Sequence, residues 1–174
     1  TQGVSSAASD VYKRQPFASA KTKAVVFVFL LRDCPVSNVY SPEITRIHKE
    51  YSKKGVALYL VHPDRDTDTK SALAHASEYK LTAPVVLDHR HKLTRRAEAQ
   101  VTPEAAVFDA KGRLIYRGRI DDLYADFGKK RARPTRHDLR DTLDALLAGK
   151  RLAKRTTEAV GCYIDFSNDK QKDK

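Results

Sequence analysis

The feature that most constrains this sequence is an apolar run that ends in a cysteine. Residues Ala24 to Leu31 read AVVFVFLL, apolar at every position and without alternation. A strand with one wet face alternates polar and apolar residues, whereas a strand covered on both faces does not. The run therefore predicts a central strand, and Arg32-Asp33 ends it. Cys34-Pro35 follows, and the next apolar residues, Val36, Val39, Tyr40, Ile44, Ile47 and Tyr51, recur at helical spacing. Cys34 thus falls where a buried strand turns into a helix, a reactive address for a thiol.

The rest of the chain alternates in kind. The first helix is expected to run to about Lys54, with Pro42 as a kink inside it and Gly55 as its left-handed stop. VALYLV at Val56 to Val61 is a second strand. A helix over Lys70 to Lys80 is expected to be capped by Asp66 or Thr67, with Ala72, Leu73, Ala76 and Tyr79 inward. PVVLD at Pro84 to Asp88 is a third strand, and His91 to Gln100 a short helix with Leu93 and Ala97 inward. Val101 to Asp109 and Arg113 to Arg119 flank the turn Ala110-Lys111-Gly112 as a hairpin. Asp121 to Arg133 reads as a polar, flexible loop. The last helix is expected to start at Thr135, with Asp138 as its capping-box partner, Leu139, Leu143, Leu146 and Leu147 on one face, and Gly149 as its stop. Strands alternating with helices give an α/β class fold, a mostly parallel sheet with helices on both faces and a closing antiparallel hairpin.

At 174 residues and 41% hydrophobic content the chain suits one domain. Residues 1–20 read as a disordered or non-native segment, 21–150 as the folded domain, and 151–174 as a basic linker and tail carrying Cys162. Methionine is absent even at the first position, so the chain reads as a processed or incomplete product. The net charge of +11 is scattered and mixed with acids, and the basic runs at 129–136 and 150–155 lack interleaved aromatic residues, so no nucleic-acid partner is expected. No apolar stretch reaches the ~20 residues that span a bilayer, and a soluble chain is expected. Two cysteines exclude a disulfide-stapled scaffold and a four-cysteine zinc site. His89 and His91, near His62, sit in a turn and predict no metal site, while His48, His75 and His137 are expected at helix surfaces. No cofactor is expected.

The constellation of Cys34-Pro35 after the first strand, Pro42 within the next helix and Thr102-Pro103 before the hairpin resembles the thioredoxin-like superfamily, in particular its redoxin branch of alkyl hydroperoxide reductase and thiol-specific antioxidant proteins. The resemblance covers about Lys23 to Gly149, with PVVLD and its helix matching the insertion typical of that branch. CPVSN with a late AVGC looks like an uncharacterised bacterial subgroup. It implies a thioredoxin-like fold, a cis peptide at Pro103 facing Cys34, thiol or disulfide partners of protein or low molecular weight, and an exported bacterial location.

Under that resemblance Cys34 is the expected nucleophile and Cys162 the candidate resolving thiol. Pro35, Thr102 and Pro103 shape a substrate groove, with Arg32 and Arg119 at its border. A thiol at a helix N-terminus feels unpaired N–H groups and the helix dipole, which lower its pKa from about 8.5. The backbone of Thr102 is expected to be open for an added substrate strand. Two departures stand out. Ser37 occupies the position of a dithiol enzyme's second cysteine, so CPVS is monothiol by sequence. Leu31 and Phe27 stand where peroxiredoxins carry the hydroxyl and proline that organise peroxide. A thiol peroxidase acting on peroxide through Cys34, and a redox-inactive binding module of the same fold, are the alternatives.

Overall fold

The computed structural model describes residues 21–167. The expected segment 1–20 and the end of the 151–174 tail lie outside them. Strand β1 (Ala24–Phe29) is the axis of the fold, buried at all six positions. It pairs in parallel with β2 (Val56–His62) and antiparallel with β5 (Glu104–Asp109). With β3 (Val85–Leu87), β6 (Leu114–Gly118) and β9 (Arg155–Thr156) they form a sheet in the order β3-β2-β1-β5-β6-β9. Strand β4 (Val101–Thr102) precedes β5 and pairs with β10 (Cys162–Tyr163).

Successive side chains of β1 go to opposite faces, which explains the unbroken apolar run. Ala24, Val26, Val28 and Leu30 join one core with Ile44, Ile47, Leu139 and Leu143, from helices α1 (Pro35–Tyr51) and α4 (Asp138–Leu147). Val25, Phe27 and Phe29 join the other with Leu93 and Ala97 of α3 (Lys92–Ala97) and with Ile164 of the tail. Each fully buried side chain of this size stabilises the fold by about 1.5–3 kcal/mol, so both faces of β1 hold the sheet to its helices. Helix α2 (Thr69–Glu78) contributes Ala76 to the first core.

Helix α1 begins at Pro35, whose fixed φ and missing N–H suit a first helical position. Pro42 lies inside α1 on its exposed side, and the helix continues through it to Tyr51. A short 3-10 turn then leads to Gly55 at φ +92, where a Cβ would come within 2.9 Å of the Lys21 carbonyl.

Several boundaries differ from expectation. Asp68, not Asp66 or Thr67, caps α2 by accepting from the Ser71 amide at 2.8 Å, and Leu73 faces solvent. Helix α4 starts at Asp138 and not at Thr135. The Thr135 hydroxyl and amide instead donate to the Asp122 carboxylate at 2.6 Å. Residues 121–133 are not a loose loop: Asp121 and Asp122 are buried, and β7 (Tyr124–Asp126) pairs with β8 (Lys129–Lys130). The tail is not a linker either, since β9 adds in parallel to the hairpin edge at β6 and β10 pairs with β4. These contacts join distant positions, and local propensity carries no record of them.

Candidate active site

Cys34 caps α1 in an extended conformation, one residue before the first helical turn, and is 1% exposed. Its Sγ donates to the carbonyl of Thr102 at 3.3 Å. The Thr102–Pro103 peptide is cis, as the resemblance implied, and both residues are buried beside Cys34. Pro35 is exposed at the rim.

The tail brings the second sulfur to the first. Cys162 lies opposite Thr102 in the β10–β4 register, and its carbonyl accepts from the Thr102 hydroxyl at 3.3 Å. The Ile164 amide donates to the Gln100 carbonyl at 3.0 Å and extends the pairing. Thr102 therefore does not present the open edge expected for a substrate strand, because the chain's own tail occupies it. Both cysteines are free thiols. Burial works against a charge on Cys34, yet hydrogen bonding from the Cys162 thiol, the Ser37 side chain and the Ser37 and Cys162 backbone holds its pKa below the ordinary thiol value. Burial and the adjoining Cys34 sulfur push Cys162 the other way. The two thiols are thus shifted in opposite directions, Cys34 down and Cys162 up.

The two arginines have other partners. Arg32 pairs with its exposed neighbour Asp33 at 3.3 Å. Arg119 donates through Nε to buried Asp138 at 2.7 Å, and Arg155 reaches the same carboxylate at 2.5 Å. Asp138 thereby ties β6, β9 and α4 together.

Behind the Cys34 turn lies a polar cluster that the sequence reading did not anticipate. Asn38 donates to the Arg32 carbonyl at 3.1 Å and accepts at 2.8 Å from Nε2 of His75. His75 is buried, not at the surface, and sits edge-on to His62 with ring centroids 5.5 Å apart. His62 is fully buried, and neither of its ring nitrogens has a hydrogen-bond partner. Burial lowers its pKa to about 4 and keeps it neutral. His89 and His91 bond to the carbonyls of Thr67 and Pro63, both at 2.9 Å. No group of three metal-ligating side chains occurs among the described residues. None of their helices is long and apolar enough to cross a membrane.

Gly161 beside Cys162 is the one residue of the tail whose type records its close return to the sheet. A Cβ there would lie 1.9 Å from the Thr102 carbonyl oxygen, so only glycine allows so close an approach. No local signal marked the Asn38–His75 bond, which spans two helices.

A family model described as Redoxin matches residues 9–127. No curated protein matches the sequence significantly. Among solved structures, an uncharacterized conserved protein from Geobacillus kaustophilus is 24% identical, with a TM-score of 0.72 over 84% of this chain and 78% of its own. A hypothetical protein from Sinorhizobium meliloti is 21% identical, with the same TM-score of 0.72 over 83% of this chain and 80% of its own. The thioredoxin domain of a thiol-disulfide oxidoreductase from Bacteroides vulgatus is 19% identical, with a TM-score of 0.51 over 73% of this chain and 81% of its own. These likenesses establish a thioredoxin-like fold.

Proposed function

The chain belongs to the redoxin family, and on that premise we propose that it is a thiol–disulfide oxidoreductase in which Cys34 attacks and Cys162 resolves. The observation that carries this reading is the placement of two free thiols at one site, Cys34 bonded to the Thr102 carbonyl beside the cis peptide and Cys162 opposite Thr102 in the β10–β4 register, with their pKa values shifted in opposite directions. The Cys34 thiolate attacks a partner's disulfide. A Cys34–partner bond forms, the partner's own S–S bond breaks, and the departing thiolate takes a proton. Cys162 then gives up its proton and attacks the Cys34 sulfur, forming the Cys34–Cys162 disulfide and releasing the partner as a dithiol. Two electrons pass from this chain to the partner, and a dithiol protein or a low-molecular-weight thiol returns the chain to its reduced state.

Ser37 has no thiol to resolve the mixed disulfide, so the distal cysteine takes that part. Pro35, Thr102 and Pro103 flank the reacting sulfur and shape the docking site. Arg119 is held by buried Asp138 and takes no part in this reading, while Arg32, paired only with exposed Asp33, is left at the border of the docking site. Exported disulfide-bearing proteins are the natural partners, since disulfides persist in oxidising compartments. A peroxidase would use the same sulfur, but Leu31 and Phe27 supply no hydroxyl to orient peroxide, and Phe27 is 2% exposed within the second core. The lowered Cys34 pKa argues against an inert binding module.

The test is reduction of a model protein disulfide by Cys34→Ser, with circular dichroism to verify the fold. Loss of the activity in a folded variant supports the assignment, and full activity overturns it.

A further inference from the structure

Cys34 is 1% exposed, and the strand edge beside it is filled by residues of the same chain. A partner disulfide reaches the sulfur only when β10 leaves, so the tail and the partner compete for one edge. What the tail presents there is specific. Gly161 lies flat on the Thr102–Pro103 peptide, where a Cβ would meet the Thr102 oxygen at 1.9 Å, its carbon at 2.6 Å and the Pro103 nitrogen at 3.2 Å. Cys162 points at Cys34. Tyr163 is 83% exposed, and Ile164 is 6% exposed within the second core, the alternation of an extended strand. Phe166 continues the inward series and stacks edge-on against His91, with centroids 4.9 Å apart.

We propose that residues 161–164 stand in for the partner's own cysteine-bearing strand and so define which partners this site accepts. The inference rests on the exchange reading above. The preferred partner is a protein whose cysteine lies in an extended segment with glycine immediately before it and an aliphatic residue two positions after it. The glycine is required because the cis peptide leaves no room for a Cβ at that point. The aliphatic residue is favoured because it enters the apolar socket that Ile164 fills in the free protein. The residue between them faces solvent and is unrestricted. During turnover the tail leaves, the partner docks and forms its mixed disulfide with Cys34, and the tail returns to deliver Cys162 as the partner departs.

The experiment uses the full chain carrying Cys162→Ser, so that mixed disulfides on Cys34 accumulate. The probe is the octapeptide Ala-Val-Gly-Cys-Tyr-Ile-Asp-Phe with its cysteine activated as the thionitrobenzoate mixed disulfide, and release of the chromophore is followed. Comparison peptides carry valine in place of the glycine, aspartate in place of the isoleucine, or alanine in place of the tyrosine. The expected result is that the valine and aspartate peptides react at least about tenfold more slowly than the parent, and the alanine peptide about as fast. Adding Gly161→Val to the protein weakens a competitor tethered at about millimolar effective concentration, and raises the parent peptide's rate about tenfold. Equal rates for all four peptides overturn the proposal. If Gly161→Val does not fold, the peptide ranking in Cys162→Ser decides alone. A small symmetrical disulfide serves as the control. If Cys34 fails to react even with it, the exchange reading itself has failed; reaction with it and no ranking among the peptides removes only the tail inference.

Discussion

The two sulfur-bearing segments of this molecule reach one site by opposite routes. Cys34 is placed by local structure: β1 ends, the chain turns, and Pro35 starts α1 so that the thiol sits at a helix N-terminus. Cys162 has no helix or long strand of its own. It is placed by two residues of pairing with β4, by a glycine that tolerates contact with a carbonyl, and by Ile164 buried in the second core. In the proposed exchange the first arrangement favours ionisation and the second opposes it, so that one thiol is the nucleophile and the other a reserve. On that proposal a monothiol motif is completed from a tail more than a hundred residues away in sequence.

The largest effect that would break this comparison is at Cys34. Cys34→Ser is expected to lower disulfide reduction by about a thousandfold or more, because the thiol left at the site, Cys162, is held protonated by burial; an insulin-turbidity assay checks it. Cys162→Ser is expected to preserve the first attack and to lower steady-state turnover about tenfold to a hundredfold, since an intramolecular thiol is replaced by thiols from solution. Quenched-flow trapping would show the mixed disulfide accumulating. Introducing Ser37→Cys into that variant tests whether the difference between the two regions is one of position alone. Ser37 is buried on the same helical turn as Cys34, and a thiol there is expected to recover turnover to within about tenfold of the parent chain.

The effect of pH separates the regions next. Alkylation of Cys34 by iodoacetamide is expected to rise with pH to a midpoint below that of an ordinary thiol, and Cys162→Ala is expected to move that midpoint upward by removing a hydrogen-bond donor to the thiolate. An unmoved midpoint would assign the lowered pKa to the helix end alone. The last expected effect is on stability and not on the exchange. His62 is neutral when folded and titrates near 4, whereas the unfolded chain takes up the proton near 6.5. The unfolded state therefore binds more protons between those values, and stability falls by up to about 3 kcal/mol as pH drops from about 6.5 to about 4. Urea unfolding of His62→Phe across that window is expected to show a shallower pH dependence than the parent chain.

The same contrast explains what could be read from the sequence. The apolar run into Cys34 and the strand-helix alternation were legible because each is a local pattern with one physical reading, whereas the cis peptide at Pro103 was legible only through the family resemblance. The register of β10 on β4 was not, because two residues carry no periodicity, and Gly161 hinted only that the backbone could approach something. Asp138 reads as a capping-box partner in sequence, but in the fold it holds together Arg119, just past β6, and Arg155 of β9. His75 reads as a surface residue of a helix until Asn38 and His62 are seen beside it. In each case the missing information was the partner across space and not the chemistry of the residue itself.

The central claim is that Cys34 and Cys162 form one redox pair. It is tested most directly by treating the reduced chain with one equivalent of a mild oxidant, alkylating under denaturing conditions and measuring the intact mass. The account predicts a monomer lighter by two hydrogens that takes up no alkyl group, with both sites becoming reactive again after reduction. A chain that remains doubly alkylated, or one that oxidises only by linking to a second copy, would contradict it.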